Sequence, residues 1–148
     1  MEELTLEMAK RILEACERWA RDIAGFPCSV AVVDKAGALI AVHKMDGAAM
    51  ATTDIAIEKA WSAVAYKLST LMMSRWLDPR TMGEKLGDHA FGMLGKGKGR
   101  LTFIPGGIPI TGDDGEVIGG IGCSGVPPGR GEIDDTAVCE AGWSALYD

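Results

Sequence analysis

Histidine is scarce in this sequence, and its cysteines stand far apart. The two histidines, His43 and His89, belong to no HxxE, HxxxH or carboxylate cluster that would bind a metal by itself. The four cysteines are too widely separated for the CxxC pairs of zinc or redox sites; they are Cys16, Cys28, Cys123 and Cys139. The sequence therefore predicts no metal site and four buried free thiols that behave as small hydrophobic side chains.

Positive charge and long apolar runs are also in short supply. The chain has 15 basic residues against 21 acidic ones and a formal net charge of -6, the wrong sign for a protein that grips nucleic-acid phosphates. No apolar run approaches the roughly 18 to 20 residues that span a bilayer, and the N-terminal segment MEELTLEMAK lacks the basic-then-apolar order of a secretory signal. We therefore expect no nucleic-acid partner, no membrane and a cytoplasmic location.

Apolar residues, in contrast, are plentiful and regularly spaced. They make up 47% of the 148 residues, enough to bury one core, so we expect a single domain over residues 1–148. Helical spacing predicts a first helix that Thr5 caps and Gly25 ends. Alternating β-branched runs at 29–34 and 38–45 predict a hairpin, and a second helix follows, capped by Thr52 or Thr53.

The second half of the chain begins with a weakly patterned segment, residues 69–99. After it, short apolar runs at 100–104, 108–111 and 116–121 predict three more strands, and residues 133–146 predict a closing helix. Hairpin-linked strands form antiparallel sheets, which helices must cover. The expected fold class is α/β of the α+β kind, with a five-stranded antiparallel sheet flanked by helices.

Glycine accumulates in and beside the late strands. Residues 120–125 match GxGxxG, but the segment VPPG follows where a dinucleotide site needs a helix, so this is not a Rossmann fingerprint. Glycine within a strand marks either a place where a ligand comes close or a tight contact with another backbone. The sequence leaves both readings open.

Four segments together resemble the GlcG/HbpS family, the haem-degrading domain family, which is related to the C-terminal domain of PduO-type corrinoid adenosyltransferases. They are VAVVDKAGALIAVHKMDGA, DIAIEKAWSAVA, PGGIPITGDDGEVIGGIGCSG and EIDDTAVCEAG. The resemblance implies a profilin-like fold, a homo-oligomer, and a pocket for a small molecule or tetrapyrrole.

The leading functional hypothesis is a small-molecule-binding protein with an auxiliary role in a catabolic pathway. Its candidate ligands are a tetrapyrrole, haem or a corrinoid, or a carboxylated metabolite. Lys59 lies among apolar neighbours on a helix, so its ammonium needs an acceptor or a ligand anion, and Asp46 is the expected partner. The candidate pocket residues are Asp46, Lys59, Gly106, Gly107, Gly125 and Arg130.

Two other functions stay open. A cofactor-independent enzyme acting on a small organic acid would use Lys59 or Arg130 to hold a carboxylate. Its proton would move through one of four candidate residues, namely Asp46, His43, Glu132 or Asp134. A structural oligomer that organises partners is the remaining alternative.

The haem-binding relatives, as the family is usually described, take a histidine from the N-terminal helix, and residues 4–24 contain none. The sequence therefore predicts weak or no specific haem binding.

We predict that the protein is a homo-oligomer, because three helices cannot cover both faces of a five-stranded sheet and a second copy closes the gap. Light scattering at micromolar concentrations should give a mass of more than one chain. A monomer mass across that range would contradict the prediction.

Overall fold

A computed structural model describes residues 3–76, 93–97 and 99–147 of the chain. Its elements, in chain order, are α1 (Leu6–Trp19) continued by a π-helical turn (Ala20–Ala24), β1 (Ser29–Asp34), β2 (Leu39–Lys44), α2 (Ala51–Tyr66), α3 (Thr70–Trp76), β3 (Gly107–Thr111), β4 (Val117–Ser124), α4 (Asp135–Ser144) and a 3-10 turn (Ala145–Tyr147). Among these helices, none is both long enough and apolar enough to cross a bilayer. His89 lies outside the described residues.

The four described strands form one antiparallel sheet in the order β2-β1-β4-β3. The α+β class and the helix-flanked antiparallel sheet are confirmed, but the expectation of five strands is wrong. Residues 100–104 form no strand, because backbone N–H groups in this segment donate to side-chain hydroxyl oxygens and not to a neighbouring strand. The N–H of Thr102 donates to Ser62 Oγ at 2.9 Å, and that of Ile104 donates to Thr102 Oγ1 at 3.2 Å.

The first helix and hairpin form as their sequence signals predict. Thr5 Oγ1 accepts a hydrogen bond from the N–H of Met8 at 3.1 Å, and Gly25 ends the helical segment with a φ of 76°. In the hairpin, Asp34 Oδ1 accepts from the backbone N–H groups of Ala36 and Ala38 at 2.9 and 3.0 Å. These side-chain bonds fix both segments locally, which is why sequence alone identifies them.

The starts of two helices differ from the expectation. Helix α2 begins at Ala51, so Thr52 and Thr53 lie inside its first turn and neither is the cap. The Thr52 hydroxyl instead lies 2.6 Å from the carbonyl of Ala49 and 2.8 Å from Ser29 Oγ, and so ties the helix to β1. Helix α4 begins at Asp135, two residues after the predicted start, because Asp134 caps it by accepting from the N–H of Ala137 at 2.8 Å.

The helices cover opposite faces of the sheet. Val30 and Val32 of β1 point into the main core, which α1 and α4 also fill, whereas Val33 packs with Ala60 and Val64 of α2. This division follows from the alternation of side chains along a strand.

Helix α2 lies directly on the backbone of β4, and two glycines make this approach possible. A Cβ atom at Gly122 would overlap the carbonyl oxygen of Ala56, and one at Gly120 would stand 2.7 Å from the carbonyl oxygen of Ala60. Both obstacles are helix backbone, which cannot move aside as a side chain can. Small residues at these positions therefore set the distance between α2 and the sheet.

We predict that Gly122→Ala destabilises the fold by about 1–3 kcal/mol or more, because the added methyl forces α2 away from β4. Urea unfolding followed by circular dichroism measures the change. Gly95→Ala is the matched control, since nothing lies within 4 Å of a Cβ at that position, and it should cost no stability. Equal unfolding midpoints for the two variants would contradict the prediction.

Candidate functional site

Lys59 lies at the contact between α2 and the sheet, with only 1% of its surface exposed. Its Nζ donates to the carbonyl of Cys123 at 2.8 Å and to Asp135 Oδ2 at 3.1 Å. The expectation that Asp46 pairs with Lys59 is wrong. Asp46 is exposed beyond the end of β2 and lines a separate cleft, whereas Asp135 opens α4, which packs on the same sheet.

Both carboxylate oxygens of Asp135 accept hydrogen bonds. Besides the bond from Lys59 to Oδ2, Oδ1 accepts from the N–H of Val126 at 2.9 Å and from the thiol of Cys123 at 3.6 Å. The carboxylate thus joins α2, β4, the segment after β4, and α4. A buried ammonium and carboxylate with these bonds are compensated in charge and in hydrogen bonding.

The three glycines proposed for the pocket wall sit at close backbone contacts. A Cβ on Gly106 would lie 2.8 Å from Lys59 Nζ, and one on Gly107 would overlap the carbonyl of Lys59. Gly125 has a φ of 152° and packs on Pro27 and Cys28, with a Cβ 2.5 Å from the carbonyl oxygen of Pro27. All three positions are explained by packing of backbone against backbone or against the buried ammonium.

An open cleft of about 590 Å³ lies between the end of α1 and the end of β2. Two of the predicted residues, His43 and Asp46, line it together with Glu17. Nδ1 of His43 lies 2.5 Å from Glu17 Oε1, and the His43 side chain is 49% exposed. Glu17 was not among the predicted residues, and no sequence signal marks it, because the contact joins positions 26 residues apart.

A third predicted residue, Arg130, contacts one of the residues that line this cleft. The guanidinium of Arg130 lies over the ring of Phe26, 4.4 Å from the ring centroid, and Phe26 is one of the lining residues. The cation and the aromatic face attract each other. This contact places a positive charge beside the cleft that holds His43.

The remaining proton-transfer candidates lie elsewhere. Glu132 and Asp134 line a second cleft, of about 710 Å³, with Trp19 and Glu140. One oxygen of Asp134 is occupied as the cap of α4. The structure therefore brings His43 and Asp46 to one cleft, with Arg130 on the ring of a residue that lines it, and Glu132 and Asp134 to another. Lys59 is enclosed in the interior.

All four cysteines are free and buried, as the sequence predicts. Burial raises the pKa of the Cys123 and Cys139 thiols well above their usual value, and that of Cys16 as well. These thiols are protonated at neutral pH in the described structure. They are not poised as nucleophiles.

Comparisons with known proteins agree on one family. A family model described as haem degrading protein HbpS-like matches residues 4–144. An uncharacterized 15.0 kDa protein from the dhaT-dhaS intergenic region of Citrobacter freundii is 30% identical over 122 residues, which cover 82% of this chain and 80% of that protein. Among solved structures, Klebsiella pneumoniae protein ORFY is similar with a TM-score of 0.82 and 26% identity, over 99% of this chain and 93% of that one. A complex of PduOC with haem is similar with a TM-score of 0.79 and 26% identity, over 97% and 95%.

We predict that Lys59→Met destabilises the protein by about 3–5 kcal/mol, because methionine keeps the volume of the stem but leaves the Asp135 carboxylate without its counter-charge. The double variant Lys59→Met with Asp135→Asn should recover part of the loss, because the amide oxygen still accepts from Val126 and no charge remains. Urea unfolding gives both values. A single variant as stable as the wild type would show that the ammonium is not needed for the fold.

Proposed function

We propose a tetrapyrrole-binding function for this chain, which belongs to the family of HbpS-like haem-degrading proteins. The ligand that we favour is haem, and the proposed site is the cleft that His43 and Asp46 line, with Arg130 beside it. The observation that carries the proposal is the pairing of His43 with Glu17.

A histidine that binds a metal through one ring nitrogen usually donates a hydrogen bond from the other, often to a carboxylate. This bond fixes the tautomer and the ring orientation. His43 has this arrangement, because Glu17 holds Nδ1 and leaves Nε2 for a ligand. Nε2 of His43 would hold haem through its iron ion, and the haem would supply the metal centre that takes a neutral imidazole nitrogen. The Glu17 carboxylate would hold His43 in that role.

The size and lining of the cleft fit such a ligand. Its volume, about 590 Å³, falls within the range of about 300–1,000 Å³ for small-molecule sites. Phe26, Pro27 and Met45 supply apolar surface for a planar ring. Lys44 lines the cleft, and Arg130 lies beside it, so both can meet the carboxylates of haem. A corrinoid or a smaller carboxylated metabolite is the alternative occupant of the same cleft.

This proposal departs from the expectation of weak haem binding, which rested on the absence of a histidine from the first helix. Strand β2 supplies the imidazole instead, and α1 contributes the carboxylate that orients it. The likeness to a haem complex of PduOC supports the choice of ligand.

A homo-oligomer, a cytoplasmic location and an auxiliary role in a catabolic pathway belong to the same proposal. Two exposed apolar side chains are the ones that we expect a second copy to cover. Leu39 on the edge strand β2 is 48% exposed, and Met50 before α2 is 89% exposed.

We predict that hemin titrated into the protein gives a one-to-one Soret band that His43→Ala abolishes. Glu17→Gln should weaken binding about 10- to 100-fold, because the carboxylate that orients His43 is lost. Absorption titration measures both effects, and a parallel titration with cobalamin tests the corrinoid alternative.

Glu14→Gln is the matched control, because Glu14 is exposed on the same helix and does not line the cleft. It should bind hemin as the wild type does. A wild type without a stoichiometric band, or a band that survives His43→Ala, would overturn the proposed site.

A further inference from the structure

We propose that Cys28, Cys123 and Asp135 form a binding site for a divalent metal ion of the zinc class. The Sγ atoms of the two cysteines and a carboxylate oxygen of Asp135 all lie within 4.8 Å of one another. Thiolate and carboxylate are ligands that zinc takes in proteins. The three residues come from the entry to β1, the end of β4 and the start of α4, and they lie outside the cleft proposed for haem.

The spacing between Cys123 and Asp135 suits a tetrahedral ion. Zinc bonds sulfur at about 2.3 Å and carboxylate oxygen at about 2.0 Å, so two such ligands at the tetrahedral angle stand about 3.5 Å apart. The Sγ of Cys123 lies 3.6 Å from Oδ1 of Asp135. The ion would take the place of the thiol proton that now lies between them.

Asp135 is already oriented as a metal ligand. Lys59 holds Oδ2 at 3.1 Å, and the N–H of Val126 donates to Oδ1 at 2.9 Å. A carboxylate oxygen has a second lone pair, so Oδ1 can bind the ion while it keeps its bond from Val126. Lys59 and Val126 are then positioning groups behind the ligands, as metal sites generally require.

The charges of the ion and of the groups around it also sum to zero. Two thiolates and one carboxylate carry three negative charges, and a divalent ion together with the Lys59 ammonium carries three positive ones. Such neutrality matters in the interior, where an uncompensated charge is costly. Binding breaks the two S–H bonds, forms two metal–sulfur bonds and releases both protons to solvent.

Of the three ligands, only Asp135 is partly exposed to solvent. Both cysteines are fully buried, whereas the Asp135 side chain is 13% exposed. An ion would enter beside Asp135, where α4 begins.

We expect the reduced, metal-free protein to bind one cadmium ion, with the ultraviolet charge-transfer band of cadmium–thiolate bonds and the release of two protons per ion in weakly buffered solution. Cys28→Ala and Cys123→Ala should each abolish the band. Cys16→Ala is the matched control, because Cys16 is equally buried but is not one of the three ligands, and it should keep the band. Zinc should compete with cadmium for the site.

Three results would overturn the site: no charge-transfer band in the wild type, a band that survives both alanine variants, or a band that Cys16→Ala removes equally. Circular dichroism checks that each variant folds. If a variant does not fold, the proton count of the wild type keeps the proposal testable: fewer than two protons released per cadmium ion would overturn the site, since binding through two cysteines must release both thiol protons. None of the three ligands lines the cleft that holds His43, so each proposal can fail without the other.

Discussion

The Lys59 ammonium is buried between α2 and the sheet, and the arrangement of the interior depends on the groups that compensate its charge. Its two bonds, to the carbonyl of Cys123 and to Asp135, connect the helix on one face of the sheet with the helix that opens on the other. Because Asp135 also holds Val126, the segment after β4 is fixed in the same network. Loss of one partner would leave a buried charge.

This network requires α2 to lie unusually close to β4. Glycines at 120 and 122 remove the side chains that would hold the helix backbone away, and Gly106 leaves room for the ammonium itself. The glycine-rich strand, which by sequence resembles a nucleotide motif, therefore serves packing. The buried pair and the glycines depend on one another. The glycines let α2 approach β4, and Asp135 compensates the Lys59 charge that this approach buries.

The proposed binding cleft uses a different part of the fold, at the junction of α1 and β2. There the side chains of the pair are 49% exposed for His43 and 24% for Glu17. The pair can orient a ligand because neither group is committed to the core. The interior cluster of Cys28, Cys123 and Asp135 differs in exposure. Both of its cysteines are fully buried, and an ion would enter beside Asp135, where α4 begins. Two proposals of different chemistry therefore rest on separate sites.

The first helix, the hairpin and the family could be predicted from the sequence because their signals are local. Thr5 and Gly25 act on neighbouring backbone, and the hairpin follows from two alternating runs that are adjacent in the chain. Each segment that resembles the family is continuous in the sequence. The burial of Lys59 was also foreseeable from its apolar helical neighbours. Its partner was not, because Asp135 lies 76 residues away and only the packing of α4 brings it near. For the same reason, the fold alone decided that residues 100–104 bond to Ser62, that Glu17 meets His43, and that cysteines without metal-site spacing converge. Sequence periodicity reports which face is buried, but the identity of the group across the interface is set by tertiary packing.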